Sequence, residues 1–271
     1  MRILSERQAL PRRPSLTWHK RLSPNPPLPL RCVCLEGTIV KNETQYAPRN
    51  LSAFVLIAGG SGALGKTVVP AFVAAGARVI TVDQHPPSVQ TEGHTDMKAD
   101  VTDEADIRRL VDEVIRKAGH IDALINLVGG FAIGRVVETD ASLWHRMLTM
   151  NLTAAFLLSK AVLPHMLERR MGRIVHVAAR AALEPFPGAA AYIVSKSGLV
   201  ALVRALALEL TGLNVTVNGV LPTTIDTPAN RSNMPDADPS KWVRPESIAQ
   251  TLIFLASREA SQINGALIPI G

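Results

Sequence analysis

From Leu51 onward, short β-branched apolar runs alternate with longer stretches of helical character. Runs of strand length fall at 53–58, 78–83, 123–128, 173–177, 214–221 and 266–270. They are nearly continuous in apolar residues instead of alternating, as strands are when both faces of their sheet are covered. Such strands separated by helices predict an α/β domain, a doubly wound parallel sheet with helices on both faces. Roughly 220 residues suit a single domain of this kind. The stretch 143–167, with Leu143, Met147, Leu148, Met150, Leu152, Phe156, Leu157, Leu158, Val162, Leu163 and Met166, is apolar nearly all round, and 195–210 is similar. Helices with no polar face are expected to be buried on both sides.

Charge changes the picture at one end. The formal net charge is +6, but residues 1–50 hold nine Lys/Arg against three Asp/Glu, while residues 51–271 hold twenty of each. The domain is therefore formally neutral, and the basic balance of the whole chain gives no reason to expect a nucleic-acid-binding face on it. Seven prolines among the first fifty residues preclude a regular helix or central strand there. Residues 1–50 read as a disordered basic extension, either upstream of a true start near Val40 or an organelle-targeting segment. Cys32 and Cys34 both lie in it. The domain thus lacks disulfides and thiol ligands, as suits a reducing, cytoplasmic compartment. His145, His165 and His176 sit among apolar residues without metal-ligand spacing and read as structural, so no metal is expected. No uninterrupted apolar run approaches the ~18 residues of a membrane span, and no membrane partner is expected.

Two motifs carry chemistry. Gly59-Gly60-Ser61-Gly62-Ala63-Leu64-Gly65 follows the first strand and opens a helix over 64–75. Glycines there let the backbone turn tightly and approach a pyrophosphate, which the helix N-terminus meets with unpaired N–H groups. Asp83 ends the second strand, where a carboxylate bonds the adenosine ribose hydroxyls and repels a 2′-phosphate. NAD(H) is therefore favoured and NADP(H) possible, in a Rossmann-type dinucleotide fold. Far downstream, Tyr192-Ile193-Val194-Ser195-Lys196 places a phenol and an ammonium about one turn apart on one helix face, where the ammonium is expected to lower the phenol pKa. Hydride transfer requires such a proton source beside a nicotinamide.

Taken in order, these motifs resemble the short-chain dehydrogenase/reductase family along the whole of 51–271. Ala99-Asp100-Val101-Thr102-Asp103 is similar to the family's adenine-contacting segment, and Asn126-Leu127-Val128-Gly129 to its Asn-Asn-Ala-Gly. The resemblance implies cofactor contacts from Gly59, Ser61, Gly62, Ala63, Leu64, Gly65, Asp83, Asp100, Val101, Asn126, Val128 and Gly129. It adds the loop over the nicotinamide, with Pro222, Thr224, Ile225 and Thr227. Tyr192, Lys196 and Asn151 take the catalytic positions, with Lys196 also holding the nicotinamide ribose and Asn151 a relay water. Two departures stand out. Ala179 occupies the place of the family's serine, and Ala63 that of its second glycine. In both respects, and in Pro222-Thr223-Thr224-Ile225-Asp226-Thr227, the chain looks like dihydropteridine reductase. The resemblance implies a small carbonyl or conjugated, pterin-like or quinonoid substrate. The alternatives are a 3-oxoacyl-type ketoreductase and a non-catalytic dinucleotide-binding sensor. A homodimer or homotetramer packed through the two apolar helices is also implied.

Overall fold

The computed structural model describes residues 51–86 and 92–271. The basic, proline-rich segment with both cysteines lies outside the described residues. Seven strands form one parallel sheet: β1 (Phe54–Ala58), β2 (Arg78–Asp83), β3 (His94–Lys98), β4 (Ala123–Asn126), β5 (Gly172–Val177), β6 (Val215–Pro222) and β7 (Leu267–Ile270). Their order is β3-β2-β1-β4-β5-β6-β7, every neighbour parallel. Chain direction across the sheet reverses between β1 and β4, which opens a crevice at the carboxyl ends of those strands. The expected Rossmann-type α/β domain is found.

Alternate residues of each strand feed two cores. Leu56, Ala58 and Val82 pack beneath α2 (Glu104–Ala118), α4 (Ala154–Glu168) and α5 (Ala190–Glu209) with Ile107, Leu158, Val162 and Val203. Val55, Ile57 and Val79 face the other way onto α1 (Gly65–Ala74) and α7 (Pro245–Ala256) with Val68, Phe72, Ile248 and Leu252. Period-2 side-chain alternation divides one apolar run between two layers. Helix α2 is delimited by its own sequence: Asp103 accepts from the Asp106 N–H at the start, and Gly119 ends it at φ 80.

Three expectations are corrected. β3 was absent from the apolar pattern because its sequence, HTDMK, is polar. The stretch 143–167 is not one helix: α3 (Ala141–Leu148) runs into a π turn (Thr149–Thr153) and then α4. Nor are α4 and α5 buried on both sides, because Phe156, Leu167, Val194 and Leu208 reach solvent, Leu208 with 77% of its surface. By length and composition α5 and the composite helix Ala141–Glu168 could each cross a membrane. Their inner faces are occupied by the sheet.

Candidate active site

The functional side chains gather at the carboxyl edge of the sheet. Gly59 turns out of β1 at φ +85, the only positive φ in the glycine loop. A Cβ there would also stand 3.1 Å from the Val128 nitrogen, so the loops after β1 and β4 touch at the crevice. At Gly65 a Cβ would collide with the Gly60 carbonyl oxygen and come within 2.7 Å of that of Gly59. Gly62 and Ala63 have no such positive φ. Alanine in place of a second glycine is thereby accommodated by the backbone. The entry to α1 carries no side-chain cap and no acid in its first turn, so no side chain competes there with an anion, although the Lys66 and Thr67 N–H groups already donate to the Gly62 and Leu64 carbonyls. Asp83 Oδ2 accepts the Ser61 N–H at 2.7 Å, tying the end of β2 to the glycine loop.

Several residues expected to touch cofactor also shape the cradle. Asn126 is 1% exposed. Its Oδ1 accepts the Val128 N–H at 3.0 Å and its Nδ2 lies 3.2 Å from His176 Nδ1, so the side chain ties the β4 loop to β5. Asp100 Oδ1 accepts the Thr102 hydroxyl at 2.6 Å and the Thr102 N–H at 2.8 Å, and these bonds hold its carboxyl below the usual carboxylate range. Val101 is buried. Thr227 caps α6 (Pro228–Asn233) by accepting the Asn230 N–H at 3.2 Å. Ile225 bridges to Val243, fixing the loop that leaves Pro222 and Thr224 at the top of β6.

Tyr192 and Lys196 lie one turn apart on α5, with Ser195 between them. Lys196 is buried, and its Nζ donates to the Val177 carbonyl at 2.9 Å, at the end of β5. A Cβ on Gly129 would lie 2.9 Å from the same Nζ and 2.8 Å from Asn151 Oδ1, so the β4 loop passes close over the ammonium. Asn151, in the π turn, is fully buried. Its Oδ1 accepts the Gly130 N–H at 2.9 Å, while Nδ2 donates to the Gly130 carbonyl at 3.0 Å and to Ser195 Oγ at 2.9 Å. Ser195 Oγ donates in turn to the Tyr192 carbonyl at 2.7 Å. The side-chain amide is thus a clamp between the β4 loop and the helix carrying the phenol.

Burial, not the ammonium, dominates the titration. It pushes the Tyr192 phenol up to about 12 and the Lys196 ammonium down to about 8. The expected lowering of the phenol is therefore reversed in this structure: desolvation disfavours each charged form. Ala179 stands two residues past the carbonyl holding Lys196, buried and without a hydroxyl. Arg180 beside it is not simply solvated. Nη1 donates to Glu184 Oε1 at 2.9 Å, and Nε is buried with no hydrogen-bond acceptor.

His176, read only as structural, proves to be the hub under the site. Nδ1 accepts from Asn126, so Nε2–H donates to Ser159 Oγ at 3.0 Å, and Ser159 donates to the Ala155 carbonyl at 2.8 Å. Burial takes its pKa down from 6.5 to about 3, with Lys196 adding to the shift. The folded chain therefore refuses a proton that the unfolded chain accepts as pH falls below 6.5. Stability is complete above that pH and falls by about 1.4 kcal/mol per unit towards pH 3. Between pH 7 and pH 5, wild type is expected to lose about 2 kcal/mol more than His176→Gln, measured by urea unfolding.

Residues 53–238 match the short chain dehydrogenase family, and the chain belongs to it. It is an NAD(P)-dependent oxidoreductase of the short-chain type. It is 31% identical over 232 residues to the 3-oxoacyl-(acyl-carrier-protein) reductase of Thermotoga maritima, spanning 79% of this chain and 94% of that one. Identity is 33% over 233 residues to the meso-2,3-butanediol dehydrogenase of Serratia marcescens, spanning 80% and 92%. The ligand-free aldohexose dehydrogenase of Thermoplasma acidophilum has the same fold at a TM-score of 0.75 and 28% identity, covering 82% of this chain and 94% of that one.

Proposed function

We propose that the chain transfers hydride between NAD(H) and a small conjugated acceptor, pterin-like or quinonoid, with Tyr192 as proton donor. The observation that carries this reading is the Tyr192–Lys196 pair on α5 together with Ala179, two residues past the Val177 carbonyl that holds Lys196, where the family pattern has a hydroxyl. For a simple ketone, losing such a donor costs about 10² to 10³ in rate. A quinonoid ring or imine spreads its developing charge and depends on it less. The likeness of the glycine loop and of 222–227 to dihydropteridine reductase supports the same choice. The Thermotoga relative favours a second reading, a 3-oxoacyl-type ketoreductase. An acceptor panel distinguishes them. NADH oxidation by a quinone or quinonoid dihydropterin is expected to exceed that by a 3-oxoacyl thioester by about 10² in kcat/KM. The reverse order would establish the ketoreductase, and NADH binding without turnover of any acceptor would establish a sensor.

The cradle fits a dinucleotide: a glycine loop that a Cβ at Gly59 or Gly65 would crowd, an uncapped helix start and a carboxylate at the end of β2. When bound, the nicotinamide gives or takes the hydride. The chain's own residues manage the proton. A buried phenol with its pKa at about 12 holds its hydrogen at neutral pH and is set to act as an acid. Lys196, at about 8, keeps most of its charge there. Asn151 holds the β4 loop and the Tyr192 turn in register.

Asp83 Oδ1 has no partner among the described residues and is the group that would meet the ribose hydroxyls. A 2′-phosphate close to it would face repulsion of about 1 to 4 kcal/mol, according to local screening. NADH is expected to bind about tenfold or more tighter than NADPH, with Asp83→Ala narrowing the gap, as read by titrating both cofactors. Preference for NADPH in wild type would refute the assignment. The exposed Phe156, Val194 and Leu208 on α4 and α5 support a homodimer or homotetramer packed through those helices.

A further inference from the structure

One apolar surface lies against the reacting group itself. Phe131 meets Tyr192 edge to face, ring centroids 4.9 Å apart at 85°, yet 56% of Phe131 is exposed. Its segment is held in place, since the Gly134 N–H donates to the Gly188 carbonyl at 2.8 Å and Gly134 bridges to Ala189, just ahead of α5. Ile133, Val136 and Val137 on this segment, and Leu183 and Phe186 on 180–189, are also exposed. Each of the segments 131–138 and 180–189 carries one Arg and one Glu. Arg180 is paired with Glu184, and the backbone N–H of Arg135 donates to Glu138. Each segment is formally neutral and offers no net charge to select an anionic substrate.

A molecule that takes a proton from Tyr192 approaches a ring that Phe131 already touches. We propose that Phe131 is the specificity-determining wall of the substrate pocket, selecting an uncharged, planar, aromatic carbonyl compound whose ring packs on it. This rests on the reading of Tyr192 as proton donor. Ring pairs prefer offset or edge-to-face contacts at the 4.5–7 Å separations such a wall permits. A small aliphatic substrate gains little from it.

The test uses the full chain with NADH and two uncharged diketones, planar 9,10-phenanthrenequinone and aliphatic 2,3-butanedione. Wild type is expected to favour the aromatic diketone by about 10² in kcat/KM. Phe131→Ala should lower the aromatic value about tenfold more than the aliphatic one, with the difference falling in KM, and Phe131→Tyr should restore the preference. Equal losses on both substrates, a wild-type preference for butanedione, or reduction of neither would overturn the proposal. Tyr192→Phe keeps the two levels apart. If it leaves turnover of either diketone unchanged, the proton-donor reading fails, whatever Phe131 does.

Discussion

Tyr192→Phe is expected to lower kcat by about 10² or more while NADH affinity stays within about a factor of two. The substitution removes one O–H group and nothing else of size. The ring remains to pack against Phe131, and the helical turn stays fixed through its carbonyl by Ser195 and Asn151. Only the proton is lost. In water a phenol is a poor match for neutral proton transfer, so the loss should appear in kcat and not in binding. Stopped-flow NADH oxidation under single-turnover conditions, together with a cofactor titration, reads the two effects separately. Wild-type turnover would remove Tyr192 from the chemistry.

Gly65→Ala should weaken NADH binding by tenfold or more and destabilise the fold by about 1 to 3 kcal/mol. The new methyl would strike the Gly60 carbonyl, with the Gly60 carbon 2.5 Å and the Gly59 oxygen 2.7 Å away. These are backbone atoms of the loop that would hold the pyrophosphate and cannot swing aside as a side chain would. Gly62→Ala is the control. Its methyl would meet only the Gly59 oxygen, at 3.2 Å, in an exposed position without positive φ. Urea unfolding and cofactor titration of both variants should show the larger loss at Gly65 in each measurement.

The fold was legible because six of the seven strands are apolar on both faces, and such runs have no other use in a chain of this length. Their ends were less so. β4 stops at Asn126 because that side chain turns back onto the Val128 N–H, a bond that composition does not reveal. Among the site residues, spacing along one helix was enough to put Tyr192 and Lys196 together. The structural partners of Asn126 and Asn151 were not legible, because an amide's partners depend on segments far away in sequence: His176 for one, Gly130 and Ser195 for the other. The direction of the phenol's titration was also hidden. Spacing reports that an ammonium is near, whereas burial, which outweighs it here, belongs to the folded chain. Phe131 had no signal at all, since it reaches Tyr192 through a loop.

The polar character that hid β3 serves the sheet's margin. β3 is one outer strand, and His94, Asp96 and Lys98 lie along it. At the opposite margin, Ala266 and Ile270 offer their carbonyls to Gly219 and Thr223, so the alternate residues Leu267 and Pro269 direct their backbone groups outward. Proline has no N–H to present there. An incoming strand would thus meet the exposed Lys98 on one side and a missing donor on the other, two devices that discourage edge-to-edge polymerisation.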